Sequence, residues 1–324
     1  MFPDTRLRRY RRTPAIRDLF NTPLPPPSKF VWPVFLTGGK GVCEAIGAMP
    51  GQNRMSVDVL IRELEKTVRQ GVNSILLFAQ CSGEKDDAGT GAFAPDGIVQ
   101  RAIPAIKKEF PDLTVMTDVC LCAYTEHGHC GPLKPDGSVD NDAACEMLAR
   151  TALSHARAGA DVVAPSAMMD GQVLSIRQTL DEHDFADTLL MAYSTKFASH
   201  MYGPFRDAEK SAPGKGDRQG YQTSFSDARL ALRESECDEE EGADILMVKP
   251  ALFYLDMIKE LRDRTDLPVA AYNVSGEYSM LIATAERGWG DLRGMVRESI
   301  AALQRAGTDI FISYWANRYD EFFR

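Results

Sequence analysis

The alternation of short apolar segments with helical ones is the feature that most restricts how this chain can fold. After residue 30, runs rich in β-branched and aromatic residues are separated by stretches whose apolar residues recur with helical spacing. Because the runs are almost continuously apolar, both faces of each strand should be covered, as in a parallel sheet. Eight runs are predicted strands: FVWPVFL (30–36), SILLFAQ (74–80), LTVMTDV (113–119), DVVAPSA (161–167), TLLMAYS (188–194), ILMVKP (245–250), PVAAYNV (268–274) and DIFISYW (309–315).

Three of the intervening helical stretches end in related tetrapeptides: AGAD (158–161), EGAD (241–244) and AGTD (306–309). Glycine favours the left-handed conformation that ends a helix, and in each case an aspartate two residues later opens a predicted strand. Eight strands with such joints predict an α/β fold, a (β/α)8 TIM barrel over residues 30–324. An open doubly wound sheet is the alternative, although no GxGxxG motif follows the first strand.

Residues 1–29 differ in composition from the rest of the chain. The basic stretch RLRRYRR (6–12) is followed by the proline-rich TPLPPPSKF (22–30). This pattern predicts an extended N-terminal arm that packs on another subunit; a basic nucleic-acid tail and a transit peptide are the alternatives. With a net charge of −9, the protein as a whole is not expected to bind nucleic acid.

Composition predicts a soluble globular protein without a membrane partner. Apolar residues make up 44% of the chain, and no run approaches the length of about 20 apolar residues that a membrane helix needs. The seven cysteines are odd in number and no export signal is visible, which favours reduced thiols over a disulfide framework. A cytoplasmic location is therefore expected.

Two lysines follow predicted strands at the end of the barrel where active sites lie. Lys196 and Lys249 belong to the fifth and sixth predicted strands, and Lys249 comes after four apolar residues. A dry environment and a second nearby ammonium group both lower the pKa of a lysine. The resulting neutral amine can attack a ketone and form a Schiff base. Alternatively, either lysine is a salt-bridge partner at the rim of the barrel.

The segment 197–225 is rich in glycine and proline, so we expect no regular element there and interpret it as a lid over the strand ends. Arg206, Lys215 and Arg218 would bring positive charge to the lid. Cations at the mouth of an active site suit a substrate that carries a carboxylate. A surface loop with solvated charges is the alternative.

The stretch DVCLCAYTEHGHCG (118–131) predicts a metal site. Zinc prefers thiolate and imidazole ligands, and Cys120, Cys122 and Cys130 offer three thiolates from one strand end and its loop. Three protein ligands leave a fourth position open, as in catalytic zinc sites. Free thiols and a redox function are the alternatives. His129 is a possible ligand, proton carrier or hydrogen-bonded loop residue, and His127 is assigned to the last of these roles.

Taken together, these stretches resemble the 5-aminolevulinate dehydratase (porphobilinogen synthase) family in its zinc-type form. The likeness spans nearly the whole chain and is most specific in DVCLCAYTEHGHCG, APSAMMDGQV (164–173), YSTKFASHMYGPFRDA (193–208), GDRQGYQ (216–222), LMVKPALFYLD (246–256) and YNVSGEYSM (272–280). The resemblance implies a hydro-lyase of tetrapyrrole (haem) biosynthesis. Such an enzyme condenses two 5-aminolevulinate molecules to porphobilinogen with loss of two waters. It also implies a homo-octamer whose N-terminal arms embrace neighbouring subunits.

By resemblance, each site residue acquires a role. Lys249 and Lys196 hold the two substrates as Schiff bases, on the propionate and acetate sides respectively. Arg206, Arg218 and Gln222 match residues that bind one carboxylate, and Ser275 and Tyr314 match those that bind the other. Asp118 and Ser166 match residues near the reacting amine. Cys120, Cys122 and Cys130 match the zinc ligands, and the zinc would bind the second substrate or activate a water.

Three positions bear on variation within the family. Gly220 stands where some members have a cysteine that binds a second zinc, and Ala167 stands where many have an aspartate. Glu234 matches a residue that binds a regulatory, allosteric Mg²⁺ in some members; a solvated helix glutamate is the alternative. Two rival functions are an aldolase-type enzyme that uses Lys249 alone and a zinc-stabilised scaffold without activity.

Overall fold

The eight predicted strand segments form a closed parallel barrel in the computed structural model, which describes residues 1–81, 83–209, 211, 214 and 216–324. The strands are β1 (Phe30–Leu36), β2 (Cys43–Ala45), β3 (Asn53–Met55), β4 (Ser74–Ala79), β5 (Thr114–Val119), β6 (Val162–Pro165), β7 (Leu189–Lys196), β8 (Ile245–Lys249), β9 (Val269–Asn273) and β10 (Ile310–Ser313). The barrel runs β1-β4-β5-β6-β7-β8-β9-β10, and β10 pairs with β1. This closure confirms the (β/α)8 prediction and excludes the open sheet.

Helices follow the barrel strands and cover the outside of the sheet. They are α1 (Pro14–Phe20), α2 (Val57–Arg69), α3 (Ile98–Glu109), α4 (Asn141–Ala158), α5 (Gln172–Glu182), α6 (Gly203–Glu209), α7 (Ala228–Glu240), α8 (Leu255–Arg262), α9 (Ser275–Glu286), α10 (Leu292–Ala306) and α11 (Tyr319–Phe323). In α2, for example, Leu60 and Leu64 are fully buried while Glu63 faces solvent. Burial of such apolar stripes against the strands stabilises the barrel.

The hairpin formed by β2 and β3 was not predicted. These antiparallel strands have three residues each, and β3 continues the sheet beside the end of β1. Segments this short give no recognisable alternation of apolar and polar residues.

The three related helix-to-strand joints have a common structure. Gly159 and Gly307 adopt φ values of 100° and 116° at the ends of α4 and α10, a region that favours glycine. The aspartate that follows each joint accepts a hydrogen bond from the backbone N–H at the start of the preceding barrel strand. The pairs are Asp161 with Val115 (2.7 Å), Asp244 with Leu190 (2.7 Å) and Asp309 with Val269 (2.9 Å). The repeated tetrapeptide therefore ties neighbouring strands together at the end of the barrel opposite the lysines.

Residues 1–29 lie before the first barrel strand and include α1. Their large apolar side chains are mostly exposed, among them Leu7 (65%) and Leu19 (76%). The end of this segment is attached to the barrel, because the Tyr319 hydroxyl donates to Pro25 O at 2.8 Å. The segment therefore presents an apolar surface that this single chain does not cover. No helix in the described part of the chain is long and apolar enough to cross a bilayer.

The expectation that the lid lacks a regular element was wrong. Helix α6 lies within it, and Pro204 occupies its first turn. The missing N–H of a proline removes no helical hydrogen bond at that position, which is why the sequence tolerates a helix there. Arg206 lies in this helix, whereas Lys215 falls outside the described residues.

Candidate active site

Lys196 and Lys249 end the neighbouring strands β7 and β8. Their Cα atoms are register partners in the sheet, and a register shift between Ala192 and Thr195 interrupts the alternation of β7 just before Lys196. Both side chains are buried, with 4% and 5% of their surface exposed, and both line one cavity. A register shift like the one in β7 redirects the side chains that follow it in the strand.

Aromatic rings surround the amine of Lys249. Its Nζ lies 4.5 Å from the ring centroid of Tyr272, 4.8 Å from that of Tyr193 and 5.0 Å from that of Phe205. Burial lowers the pKa of Lys249 to about 7, and the positive charge of Lys196 contributes to the lowering. A substantial fraction of this amine is therefore neutral near pH 7 and available as a nucleophile.

The amine of Lys196 is held by the end of β6. Its Nζ donates a hydrogen bond to the backbone carbonyl of Ser166, which lines the same cavity. Asp118, at the end of β5, also lines the cavity. Burial raises the pKa of Asp118 to about 6, against the opposing effect of the positive charge of Lys249.

The three cysteines of the loop after β5 converge. Their Sγ atoms lie within 4.8 Å of one another, all three residues are buried, and the Sγ atoms of Cys120 and Cys122 are 3.4 Å apart. Zinc–sulfur bonds of about 2.3 Å in a tetrahedral site bring sulfurs to about 3.8 Å from each other, so the cluster fits one zinc ion. Hydrogen bonds from the other two thiols lower the pKa of Cys130, which favours a thiolate there.

Arg206, Arg218 and Gln222 bring hydrogen-bonding groups from the lid to the same cavity. Arg218 Nη2 donates to Gly128 O at 3.1 Å and to Ser211 O at 2.7 Å, which joins the lid to the cysteine loop. Within the described residues, four shielded polar atoms of this lid cluster have no partner: Nε of Arg206, Nε of Arg218, and Oε1 and Nε2 of Gln222. Buried donors without partners indicate a missing polar ligand, and a carboxylate suits them.

Helix α6 is attached to the barrel by two polar side chains that sequence reasoning missed. Arg54 Nε donates to Ala208 O at 2.6 Å, and its Nη2 donates to Asp207 O at 2.8 Å. Gln80 Nε2 donates to Ala208 O at 3.0 Å. Arg54 and Gln80 therefore hold the helix that carries Arg206 over the lysines.

Ser275 and Tyr314 each contact an aromatic residue that lies beside Lys249. The Ser275 hydroxyl accepts a hydrogen bond from Phe205 N at 3.0 Å, and the Tyr314 hydroxyl lies 3.0 Å from that of Tyr272. Both residues are fully buried, and neither belongs to the described lining of the lysine cavity. A substrate group can reach them only where Phe205 or Tyr272 makes room.

Glu277 is a third residue that sequence reasoning missed. Its carboxylate accepts hydrogen bonds from Leu252 N at 2.7 Å and Ala251 N at 3.1 Å, just after Lys249, and from Val274 N at 3.0 Å, just before Ser275. Burial raises its pKa to about 7. This carboxyl group connects the loops that follow β8 and β9.

Glu234 and the two loop histidines lie outside the lysine cavity. An adjoining cleft of about 660 Å³ is lined by residues that include His129, Tyr221, Gln222 and Glu234. Glu234 accepts a hydrogen bond from Thr223 Oγ1 at 3.2 Å, and His129 Nδ1 lies 3.2 Å from the Tyr221 hydroxyl. His127 Nε2 contacts Asp87 O at 3.1 Å. Gln222 lines both the cleft and the lysine cavity, so the two spaces adjoin.

The cavity around the lysines measures about 20 Å³ with the lid in this position. That volume accommodates about one water molecule. A molecule larger than water can enter only when α6 moves away from the strand ends. The arrangement is that of a closed active site.

The fold and this cavity define an enzyme of the (β/α)8-barrel class, because the ionisable groups gather at the C-terminal ends of the strands. The family model of delta-aminolevulinic acid dehydratase matches residues 4–322 of the chain. The chain therefore belongs to the delta-aminolevulinic acid dehydratase family, whose members are hydro-lyases, as the sequence resemblance predicted.

Individual relatives agree over nearly their whole lengths. The delta-aminolevulinic acid dehydratase of Methanothermobacter thermautotrophicus is 50% identical over 317 residues, covering 97% of this chain and 96% of the relative. That of Escherichia coli is 47% identical over 311 residues, covering 96% and 95%. A solved structure from Toxoplasma gondii, the delta-aminolevulinic acid dehydratase (porphobilinogen synthase) in complex with the reaction product porphobilinogen, superposes with a TM-score of 0.95. It is 40% identical and covers 98% of this chain and 91% of that one.

Proposed function

We propose that the protein condenses two 5-aminolevulinate molecules to porphobilinogen, with loss of two waters, in tetrapyrrole biosynthesis. The observation that carries the proposal is the in-register pairing of Lys196 and Lys249 in one dry cavity. The names of the relatives and the product in the Toxoplasma gondii structure support the choice of substrate.

Each lysine forms a Schiff base with the ketone of one substrate. Neutral Lys249 attacks the substrate that becomes the propionate side, and Lys196 attacks the one that becomes the acetate side. A protonated imine withdraws electrons more strongly than a ketone, so the adjacent carbon becomes able to form the new C–C bond. Holding both substrates in one cavity also removes the entropic cost of their encounter.

The substrate carboxylates bind to two groups of residues. The unpartnered donors of Arg206, Arg218 and Gln222 receive one of them. Ser275 and Tyr314 receive the other once the substrate displaces the contacts that now satisfy their hydroxyls. Asp118 and Ser166, beside Lys196, accept hydrogen bonds from the reacting amine.

Cys120, Cys122 and Cys130 hold a Zn²⁺ ion in this proposal, supported by the fit of their sulfur atoms to one ion. A zinc ion bound there would supply Lewis-acid chemistry toward the second substrate or a water. Reduced thiols of this kind suit the cytoplasm, where disulfides rarely form. Glu234 is a candidate ligand of a regulatory Mg²⁺ in the adjoining cleft, and Gly220 provides no thiol for a second zinc.

A homo-octamer, with the N-terminal arm packed on a neighbouring subunit, is the proposed assembly. The exposed apolar side chains of the arm support it, since a partner surface would bury them. Removal of residues 1–21 should reduce the mass measured by light scattering, with the barrel still folded by circular dichroism. An unchanged octamer would contradict a role of the arm in assembly.

Borohydride trapping with 5-aminolevulinate, followed by peptide mapping, tests the function together with a porphobilinogen assay. We expect pyrrole formation and modification of Lys249 and Lys196. An aldolase-type enzyme would be modified at Lys249 alone and would form no pyrrole. If folded, zinc-loaded protein showed neither trapping nor pyrrole formation, the result would support the alternative of a zinc-stabilised scaffold without activity.

A further inference from the structure

Glu209 is a buried carboxylic acid in the lysine cavity for which the proposed reaction has no role so far. It is the last residue of α6, only 4% of its surface is exposed, and it lines the cavity together with Lys196 and Lys249. Ser211 Oγ donates a hydrogen bond to Glu209 Oε2 at 2.9 Å. A buried glutamate that lines the same closed cavity as two amines is placed to take part in proton transfer there.

The surroundings of Glu209 favour its protonated form. Burial raises the pKa of this carboxyl group well above its ordinary value, and the negative charges of Cys122 and Asp118 raise it further. The hydrogen bond from Ser211 and the positive charge of Arg218 oppose this effect. The other charged groups that line the cavity are Lys196, Lys249 and Arg206. A neutral carboxylic acid in a dry site can donate a proton, as a solvated glutamate near pH 7 cannot.

We propose that Glu209 is a catalytic acid that protonates the hydroxyl group lost as water when Lys249 condenses with the substrate ketone. This inference rests on the proposed function. After Lys249 attacks the ketone, proton transfer from nitrogen to oxygen gives a neutral carbinolamine. The proton of Glu209 then moves to the carbinolamine hydroxyl, the C–O bond breaks, and the nitrogen lone pair forms the C=N bond. The products are water, a protonated imine and the Glu209 carboxylate.

The carboxylate regains its proton in the same reaction cycle. Formation of the new C–C bond requires the carbon beside the imine to lose a proton, and that proton restores the acid. Because Glu209 ends the lid helix, closure of the lid brings the acid into the cavity only after the substrate has entered. The acid is then shielded from bulk water, which prevents its loss of a proton to solvent.

The variant Glu209→Gln separates this role from a structural one. The amide oxygen of glutamine still accepts the hydrogen bond from Ser211, but the side chain cannot donate an acidic proton. We expect borohydride trapping of 5-aminolevulinate at Lys249 to slow by about 10²-fold or more, since general acids contribute about 10²–10⁴-fold. The KM should change little, and the zinc content and circular dichroism should match the wild type. Trapping at more than half the wild-type rate would overturn the proposal.

Two further variants separate the loss of the acid from the loss of its hydrogen bond and from a general effect of the substitution. Ser211→Ala removes the hydrogen bond but retains the acid, so it should trap substrate within about threefold of the wild-type rate; an equal loss in both variants would assign Glu209 a structural role. Glu109→Gln is the matched control, because Glu109 is likewise the last residue of its helix, α3, but is exposed and lies outside the lysine cavity. Trapping and pyrrole formation by the wild type test the proposed function itself, so failure of that function is distinguishable from failure of the role of Glu209.

Discussion

Lys196 and Lys249 are register partners at the last positions of two neighbouring parallel strands. Their amines enter one cavity, and the positive charge of Lys196 contributes to the low pKa of Lys249. The pairing therefore brings two amines together and favours the neutral form of one of them.

Replacement of Lys249 by arginine should reduce pyrrole formation at least about a thousandfold, because a guanidinium is always charged and cannot form a Schiff base. Steady-state assays and mass spectrometry after borohydride treatment measure the effect. Lys259→Ala is the control, since Lys259 is a solvent-exposed lysine in α8. Appreciable turnover by Lys249→Arg would contradict the assigned role.

The rate of trapping at Lys249 should depend on pH with a midpoint of about 7. Below that pH the amine is protonated and cannot attack, so the rate rises as pH increases through the midpoint and then levels off. Lys196→Gln removes a neighbouring positive charge, and the midpoint should therefore move to higher pH. Single-turnover trapping across a pH series measures both midpoints; an unchanged midpoint in the variant would show that the two amines do not interact.

Removal of zinc should abolish activity without unfolding the barrel. The barrel is closed by pairing of β10 with β1, which involves none of the three cysteines, so the helical circular dichroism signal should persist after chelation. Readdition of Zn²⁺ should restore pyrrole formation. Cys130→Ser should lose activity in the same way, whereas Cys43→Ser, at an exposed cysteine far along the chain from this loop, should not. Loss of helical signal together with the metal would indicate a structural ion.

Arg54→Ala should loosen the lid helix. The substitution removes two hydrogen bonds to the backbone of α6, each worth about 0.5–1.5 kcal/mol, so the closed lid should become less populated. We expect KM to rise by about tenfold and limited proteolysis between residues 203 and 222 to accelerate. Arg69→Ala is the control, because Arg69 is exposed and its ion pair with Glu65 lies on the solvent face of α2. Equal KM values in the two variants would rule out a role for Arg54 in holding the lid.

The barrel could be predicted from the sequence because its strands leave a strong local signal. Continuous apolar runs identify strands buried on both faces, and the Gly-x-Asp joints identify where helices give way to strands. The convergence of Lys196 and Lys249 followed from their positions at the ends of adjacent strands. The cysteine cluster was evident because its members lie within eleven residues of one another.

What the sequence did not reveal depends on contacts between distant segments. Arg54 donates a hydrogen bond to a helix that lies more than 150 positions later in the chain, and the residues next to Arg54 in the sequence do not indicate this contact. Helix α6 is too short and too rich in glycine and proline to show helical periodicity. Glu209 follows an aspartate and an alanine in a polar stretch, where a glutamate is normally exposed. Its burial arises only because α6 folds over the strand ends.

The small volume of the closed cavity has a consequence for the lifetime of the proposed Schiff base at Lys249. An imine between lysine and ketone is readily reversed wherever water can reach it. The closed lid leaves room for about one water molecule beside Lys249, so bulk water can reach the proposed adduct only when the lid opens. Tight packing around Lys249 would therefore slow hydrolysis of the proposed adduct for as long as the lid stays closed.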